Sequence, residues 1–287
     1  MIKKGIILAG GKGTRMSPLT KAVNKQLLPI HDKPLIFYPL SILMLAGIKE
    51  VLIIVNQDQL EQYKKIIPDG NNFGMKIDYI EQKNPNGLPE AFILGEKFIK
   101  NQNVCLILGD NFFYGQNLTK ILRNCTKLKN GAKVLLHRVN KPENFGVAKV
   151  IGKKIKNIKE KPKKFISDLA ITGLYFFDKR VCKFAKQLKP SKRGELEIVD
   201  LLNKYLKEKK LSAELIGRGG AWLDTGSIED FYKTSAFVSA IENRQGFKIA
   251  CLEEIAFNNK WINKKQLLRA VKFYGNCSYS HYIKKLI

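Results

Sequence analysis

Residues 5–29, GIILAGGKGTRMSPLTKAVNKQLLP, join a short apolar run to a glycine-rich loop. The loop carries three glycines, Gly10, Gly11 and Gly13. The apolar run at 5–8 predicts a buried strand. Because glycine has no Cβ, the loop lets the backbone approach a bulky anion and donate N–H groups to phosphate oxygens. Arg15 and Lys25 would add a guanidinium and an ammonium group to the same anion. The stretch therefore predicts a polyphosphate-binding loop after the first strand.

Two better-known phosphate-binding loops do not fit this stretch. A Walker A loop needs G-x-x-x-x-G-K-[ST], but the Gly11-Lys12 pair is preceded by Ile6 and followed by Gly13. A dinucleotide fingerprint that starts at Gly11 would need a glycine where Met16 stands. The plainer alternative is a glycine-rich turn with solvated charges, and the Thr-Arg extension and the downstream KQLLP argue against it.

The chain is strongly positive, but its composition argues against nucleic-acid binding as the reason for this charge. The 287 residues carry a formal net charge of +26, with 43 lysines and only 8 arginines. Arginine is the usual specific reader of bases and phosphates, so a nucleic-acid interface should not be so poor in it. We therefore expect no nucleic-acid partner, although the positive potential would attract an anionic substrate.

Cysteine usage and hydropathy predict a cytoplasmic location without a membrane segment. The five cysteines are widely spaced and form no C-x-x-C pair, which favours reduced thiols over disulfides or a zinc site. The apolar start of the chain runs into glycines and charges within a few residues, unlike a signal peptide. No segment approaches the roughly 18 apolar residues that span a bilayer.

Apolar runs alternate with helical patterns along most of the chain. The strands are expected at 6–8, 51–55, 77–80, 104–108 and 134–137, and the helices between them at 34–46, 59–67, 89–99 and 118–128. Further helices are expected at 195–208, 228–241, 264–270 and 280–286. Apolar strands separated by helices predict an α/β fold with a Rossmann-like mixed, mostly parallel sheet covered by helices on both faces. We expect one domain at 1–240 and a helical C-terminal extension at 241–287.

Three further acidic positions are candidates for chemistry. Asp110 follows a strand at the sheet edge where ligands bind in open parallel sheets, and Mg²⁺ usually takes one or two carboxylates there. A helix cap or a turn is the alternative for Asp110. Asp224 stands in AWLDTG and Glu160 in NIKEKP, and each could equally belong to an ordinary turn. The residues alone do not bring Asp224 near Asp110.

Seven motifs carry a resemblance to a known family. In order they are LAGGKGTR at 8–15, NKQLLP at 24–29, LGDNFFYG at 108–115, EKP at 160–162, TGLYFFD at 172–178, RGELEIVD at 193–200 and AWLDTG at 221–226. Across essentially its whole length the chain resembles the bacterial glucose-1-phosphate thymidylyltransferases, or dTDP-glucose pyrophosphorylases. GGxGTR alone would indicate only the broader sugar-nucleotidyltransferase superfamily, whereas KQLLP with GDNxFYG is specific to the thymidylyl branch.

The resemblance implies a reaction, a fold and partners. Members join dTTP to α-D-glucose 1-phosphate and release pyrophosphate, with Mg²⁺ as cofactor, in the first step toward dTDP-rhamnose-type sugars. The implied fold is of the nucleotide-diphospho-sugar transferase type, with a nucleotide half at about 1–140 and a sugar-binding half at about 141–240. The resemblance also implies a homotetramer. Because the sugar phosphate is already anionic, catalysis should depend on positioning and charge stabilisation.

The resemblance also assigns roles to residues, all of which remain expectations at this point. The catalytic set is Arg15 and Lys25 for the departing pyrophosphate, Asp110 and Asp224 for Mg²⁺, and Lys161 for the sugar phosphate. The triphosphate and nucleotide set is Gly10, Gly11, Gly13, Thr14 and Gln26. The thymine set is Gln82 and Gly87, with Leu8 against the base. The sugar set is Glu160 and Gly146.

Three departures from the family pattern leave base and sugar selectivity open. KNPNG at 83–87 stands where PSPDG is usual, Pro89-Glu90 stands for Ala-Gln, and Phe145 replaces a tyrosine. A uridylyltransferase acting on a sugar 1-phosphate is therefore one alternative. A non-catalytic sugar-nucleotide-binding relative is another, but it should have lost some of the catalytic set, and all of that set is present.

Overall fold

The computed structural model describes residues 1–11 and 13–287. Its strands are β1 Lys4–Ala9, β2 Pro29–Ile30, β3 Lys33–Pro34, β4 Glu50–Asn56, β5 Lys76–Gln82, β6 Val104–Leu108, β7 Asn111–Gly115, β8 Ala132–Arg138, β9 Gly146–Ile151, β10 Lys154–Glu160, β11 Leu169–Phe177, β12 Leu211–Leu215 and β13 Gly220–Asp224. Its α-helices are α1 Phe37–Leu45, α2 Leu60–Ile66, α3 Glu90–Leu94, α4 Glu96–Ile99, α5 Leu118–Cys125, α6 Val181–Lys186, α7 Ile198–Lys207, α8 Ile228–Gln245, α9 Leu252–Asn258, α10 Lys264–Tyr274 and α11 Ser278–Lys284.

The central sheet has the strand order β10-β9-β11-β6-β1-β4-β5, with β8 beside β11 and β12 beside β8. Strands β6, β1, β4 and β5 run parallel to one another. Strand β11 is antiparallel to β6, β8 and β9, and β12 is parallel to β8. The parallel strands place the ends of β1, β5 and β6 at one edge, where the glycine loop and Asp110 follow. The predicted mixed, mostly parallel sheet flanked by helices is confirmed.

The sheet separates two layers of apolar core, which explains why its central strands are apolar throughout. Successive residues of β1 point to opposite faces: Ile7 belongs to one buried cluster and Ile6 to the other. In β6 the same alternation places Ile107 in the first cluster and Leu106 in the second. A strand with helices over both faces needs an apolar side chain at every position, and the sequence of β6, VCLIL, meets that need.

Two short strands that leave the central sheet form a ribbon beside the candidate site. β13 pairs antiparallel with β7, and the register sets Asp224 opposite Asn111 and Trp222 opposite Phe113. Thr225, directly after β13, donates its backbone N–H and its hydroxyl to the Asp110 carbonyl at 3.1 and 2.8 Å. The ribbon therefore carries the chain around 224 back to the end of β6.

The C-terminal helices pack on the main domain through polar as well as apolar contacts. The helix α8 bears Glu242, which accepts from Lys33 Nζ at 2.9 Å, so the hairpin formed by β2 and β3 is fastened to α8 by a buried ion pair. After α9, the Asn259 side-chain amide donates to the Met44 carbonyl at the end of α1 at 3.1 Å. The helical C-terminal segment that the sequence predicts is present, whereas the stated domain boundaries stay predictions.

The structure differs from the sequence-based expectations at several elements. The single helix expected at 89–99 is divided into α3 and α4 at Gly95, where a Cβ would lie 2.8 Å from the Ala91 carbonyl oxygen and 3.0 Å from Ile6 Cδ1. Helix α7 begins at Ile198 instead of 195, because Leu196 forms a bridge with Gly87. The ribbon of β7 and β13 and the helix α9 were not predicted. Among the described residues, no helix combines the length and apolar character needed to cross a bilayer.

Candidate active site

The glycine loop after β1 is held open by Asn56 at the end of β4. The Gly11 N–H donates to Asn56 Oδ1 at 2.7 Å, and Asn56 Nδ2 donates back to the Gly11 carbonyl at 2.8 Å. Gly11 has φ 117° and Gly13 has φ 59°, a region that favours glycine. Thr20 caps the loop by donating its hydroxyl to the Gly13 carbonyl at 2.8 Å. Gly11 and Gly13 are therefore each held by hydrogen bonds to side chains outside the loop, as a preformed anion-binding backbone requires.

A cavity of about 250 Å³ lies against this loop. It is lined by Gly10, Gly11, Gly13, Thr14, Arg15, Met16, Lys25, Gln26, Asp110 and Gly226. Every residue that the sequence predicts for triphosphate and pyrophosphate binding is in this set. The Arg15 guanidinium passes close to Gly226, where a Cβ would lie 2.9 Å from Arg15 Nη2. Gly226 is thus needed for the close approach of the guanidinium.

Lys25 and Asp110 form an ion pair in the lining of this cavity. Lys25 lies in a turn of 3-10 helix that begins after Asn24, whose side chain accepts from the Gln26 N–H at 3.0 Å. Its Nζ donates to Asp110 Oδ2 at 2.7 Å, with the Lys25 side chain 9% exposed and that of Asp110 24% exposed. Burial alone would raise the pKa of Asp110, but the charge and hydrogen bond of Lys25 lower it. Asp110 is therefore an anion that already has one cation beside it.

Asp224 is the second carboxylate at this site, and its pKa is shifted in the opposite direction to that of Asp110. Burial, and then the negative charge of Asp110, raise the pKa of Asp224 to about 6, against the opposing charges of Lys25 and Arg15. Without a further cation the two acids repel each other across the end of the β7–β13 ribbon. The structure thus brings together two residues that lie far apart along the chain.

Asn111 holds this arrangement in place and was missed as a functional residue by the sequence reasoning. Its Oδ1 accepts from the Trp222 indole N–H at 2.6 Å and from the Gly173 N–H at 3.1 Å. Its Nδ2 donates to Asp110 Oδ1 at 3.0 Å. With all these bonds, the Asn111 side chain orients the carboxylate of Asp110 and fixes β13 to β11. In the sequence, Asn111 is part of the LGDNFFYG motif, and the available signal was an amide side chain directly after the candidate ligand Asp110.

A larger cavity of about 340 Å³ lies next to the first one. It is lined by residues from β6, β7, β9 to β11, β13 and the loop before α7, among them Arg15, Asp110, Gly146, Glu160, Lys161, Arg193, Glu195, Glu197, Trp222 and Asp224. All the residues predicted for the sugar side are in this set. Arg15 and Asp110 line both cavities. The two spaces therefore meet where Asp110 lies beside Lys25 and Asp224.

The polar lining of the larger cavity suits a hydroxylated ligand that carries an anionic group. Burial is the main factor that raises the pKa of Glu160, whose Oε2 would lie 3.1 Å from a Cβ on Gly146. Lys161 is exposed, has φ 39°, and donates its N–H to the Phe145 carbonyl at 3.0 Å. The sharp backbone turn at Lys161 sets it beside Glu160 on the cavity wall.

Arg193, Glu195 and Glu197 belong to the RGELEIVD motif and also line the larger cavity, a position that the sequence did not predict for them. Arg193 Nη2 donates to both Glu197 oxygens at 2.9 and 2.8 Å, and this bond raises the pKa of Arg193. The motif lies on the loop before α7, and Leu196 N–H donates to the Asn86 carbonyl at 2.8 Å. The loop thus joins the sugar side of the site to the strand and loop that carry Gln82 and Gly87.

The three residues predicted for the base are placed differently from the rest. Leu8, Gln82 and Gly87 are not among the described residues that line the two cavities. Gln82 is nevertheless directed at the loop, since a Cβ on Gly10 would lie 2.5 Å from Gln82 Oε1. Gly87 has φ 103° and bridges Leu196, and Leu8 packs on the apolar cluster beneath the sheet.

Comparison with known proteins adds the family context. A family model described as "Nucleotidyl transferase" matches residues 4–241. The chain is 49% identical over 285 residues to a glucose-1-phosphate thymidylyltransferase of Neisseria meningitidis, and the match covers 99% of each chain.

Two solved structures have the same fold. A crystal structure assigned to the glucose-1-phosphate thymidylyltransferases, from Bacillus anthracis and in complex with a sucrose, matches with a TM-score of 0.76 and 39% identity over 82% of this chain and 94% of that one. A UDP-glucose pyrophosphorylase complexed with UDP-glucose matches with a TM-score of 0.74 and 28% identity over 85% of this chain and 100% of that one.

Proposed function

Since the chain belongs to the nucleotidyl transferase family, we propose that it transfers a thymidylyl group from dTTP to α-D-glucose 1-phosphate, giving dTDP-glucose and pyrophosphate. The observation that carries this proposal is the junction of the two cavities. Arg15 and Asp110 line both, so one ligand in each cavity would have its phosphate at the same point. Such a site is suited to direct transfer between two bound phosphates.

The loop side suits the triphosphate and the larger cavity suits the sugar phosphate. The smaller cavity is lined by glycine backbone and by the cations of Arg15 and Lys25, which match a polyanion. The larger cavity offers Glu160 for hydroxyl groups and Lys161 for a phosphate. Gln82 would face the base from beside Gly10.

The residues would act mainly by positioning and by balancing charge. The oxygen of the sugar phosphate is already an anion, so it needs no general base in order to attack the α-phosphorus. Lys161 would hold that phosphate in line with the bond to be broken. Arg15 and Lys25 would stabilise the negative charge that gathers on the departing pyrophosphate. Asn111 would keep Asp110 in one orientation throughout.

Asp110 and Asp224 would hold Mg²⁺ in this proposal. Burial and the charge of Asp110 raise the pKa of Asp224 to about 6. A divalent cation bound between the two carboxylates would offset their repulsion. When bound, Mg²⁺ supplies positive charge to the phosphate oxygens during transfer. Oxygen ligands and a nearby substrate phosphate are the set that this ion prefers.

The wider setting of the reaction is also proposed from the family. All five cysteines lie in the described part of the chain as thiols, which is in keeping with a cytoplasmic enzyme. We further propose a homotetramer and a role in supplying dTDP-rhamnose-type sugars.

A substrate panel tests the proposed function. The purified protein is incubated with Mg²⁺ and each pair from dTTP, dUTP, UTP, dCTP and ATP with glucose, galactose and mannose 1-phosphates, and pyrophosphate release is measured. The expected result is the highest kcat/KM for dTTP with glucose 1-phosphate. A clear preference for UTP would replace the thymidylyl assignment by the uridylyl one. No release with any pair would overturn the enzymatic assignment.

A further inference from the structure

Glu90, at the start of α3, accepts hydrogen bonds from three donors around the end of β5. Gln82 Nε2 donates to Glu90 Oε2. The same oxygen accepts from the Asn86 N–H at 3.1 Å, and Glu90 Oε1 accepts from Asn86 Nδ2 at 2.7 Å. Gln82 is 4% exposed, so its amide has little access to water as an alternative partner. The carboxylate thereby joins a buried side-chain amide to the loop that leads to Gly87.

The chemistry of a carboxylate decides which way the Gln82 amide faces. An ionised carboxylate only accepts hydrogen bonds, so the NH₂ group of Gln82 must face Glu90 and the carbonyl oxygen must face elsewhere. That oxygen, Oε1, is the atom directed at Gly10 in the phosphate loop. A reversed amide would place Oε1 against the negative charge of Glu90 and leave a buried acceptor without a donor.

The orientation of an amide determines which pyrimidine it can read. Thymine and uracil present an N3–H donor beside the O4 acceptor, whereas cytosine presents an N3 acceptor beside an N4–H donor. An amide whose oxygen meets position 3 and whose second N–H meets position 4 pairs with thymine or uracil. The reversed amide pairs with cytosine instead.

We propose that Glu90 is a positioning residue that fixes the Gln82 amide in the orientation that accepts from N3–H, and so selects keto pyrimidine nucleotides over cytosine nucleotides. This inference rests on the proposed function, in which Gln82 reads the base. It assigns discrimination between dTTP and dCTP to a residue outside both cavities. It assigns no role to Glu90 in distinguishing thymine from uracil, because both present the same N3–H and O4.

Three variants separate positioning from a structural role. Glu90→Ala removes the acceptor and leaves the Gln82 amide free to turn. Glu90→Gln keeps an acceptor for Gln82 Nε2 and for the Asn86 N–H in its amide oxygen, and the exposed Asn86 side chain can turn its own oxygen toward the new NH₂ group. Glu96→Ala is the matched control, since Glu96 is a half-exposed acid six residues further on, at the start of α4, whose partner is Lys186 at 2.7 Å.

The readout is kcat/KM for dTTP, dUTP and dCTP with glucose 1-phosphate in each variant. In Glu90→Ala the ratio of kcat/KM for dTTP to kcat/KM for dCTP should fall about tenfold, because about that much free energy is lost with one hydrogen bond to a charged group. The change should appear in KM more than in kcat. The dTTP-to-dUTP ratio should not change, and Glu90→Gln and Glu96→Ala should keep the wild-type ratios.

Two outcomes would overturn the inference while leaving the proposed function intact. One is a Glu90→Ala protein whose kcat/KM values for dTTP and dCTP both equal those of a wild type that uses dTTP. The other is an equal loss of activity toward all three nucleotides, which would show a structural role only. A wild-type protein that does not turn over dTTP would instead count against the proposed function itself.

Discussion

Replacing Asp224 by asparagine should stabilise the metal-free protein. Burial and the charge of Asp110 raise the pKa of Asp224 from 3.8 to about 6. The folded state therefore resists ionisation of this acid, and the stability that Asp224 contributes is present below about pH 4 and lost as the pH rises through 6. About two pKa units at about 1.4 kcal/mol each correspond to about 3 kcal/mol at pH 7.5. An uncharged amide of the same shape does not carry this cost.

Urea unfolding in the presence of EDTA measures this effect. Asp224→Asn should have a free energy of unfolding about 3 kcal/mol above that of the wild type at pH 7.5, and only about 1 kcal/mol above it at pH 4.5. Asp58→Asn, at an exposed acid, is the matched control and should change the stability little at either pH. Mg²⁺ should then stabilise the wild type but not Asp224→Asn, and the same variant should lose transferase activity.

Two results would refute the reasoning about Asp224. An Asp224→Asn protein no more stable than the wild type at pH 7.5 would show that the acid pair carries no electrostatic cost. A stability difference that does not shrink between pH 7.5 and pH 4.5 would show that the gain comes from packing and not from charge.

Three other substitutions test separate parts of the site and fold. Lys25→Met should lower kcat by about 100-fold or more, because in the proposed function Lys25 stabilises the charge on the departing pyrophosphate. Lys21→Met is the control and should keep the wild-type kcat, and a Lys25→Met protein with the wild-type kcat would contradict the proposed role. Asn111→Ala should lower the free energy of unfolding by about 3 kcal/mol in urea, because the Trp222 and Gly173 N–H groups lose their buried acceptor. Glu242→Gln should lower the melting temperature, with a cost of about 2 kcal/mol, because the buried hydrogen bond from Lys33 Nζ loses its charged acceptor and Asp32 is left to balance both Lys33 and Lys248. An unchanged melting temperature would argue against a contribution of the Lys33–Glu242 ion pair.

The parallel half of the fold could be predicted because its signals are local. An apolar run such as VCLIL at β6 needs only its own residues to indicate a strand covered on both faces. The strand-to-loop transition at Gly10 is equally local. The division of α3 from α4 was not predictable, since it depends on how closely Gly95 approaches β1.

The candidate site was only partly predictable, because its residues meet through distant pairings. Asp110 could be placed at the sheet edge from its strand alone. Asp224 reaches it through the β7–β13 ribbon, whose partners are about a hundred residues apart in the chain. Glu90 depends on a side-chain bond to Gln82 that no pattern in the sequence indicates. The family resemblance predicted that Asp224 lies near Asp110, whereas only the structure shows the bond between Glu90 and Gln82.

The stereochemical course at the α-phosphorus tests the central claim most directly. In the proposed function, the sugar phosphate attacks the bound triphosphate directly where the two cavities meet at Arg15 and Asp110, without a covalent enzyme intermediate. With a single diastereomer of α-thio-dTTP and glucose 1-phosphate, the account predicts inversion of configuration in the sugar nucleotide formed. Retention would mean two successive displacements through a group on the enzyme and would contradict the account.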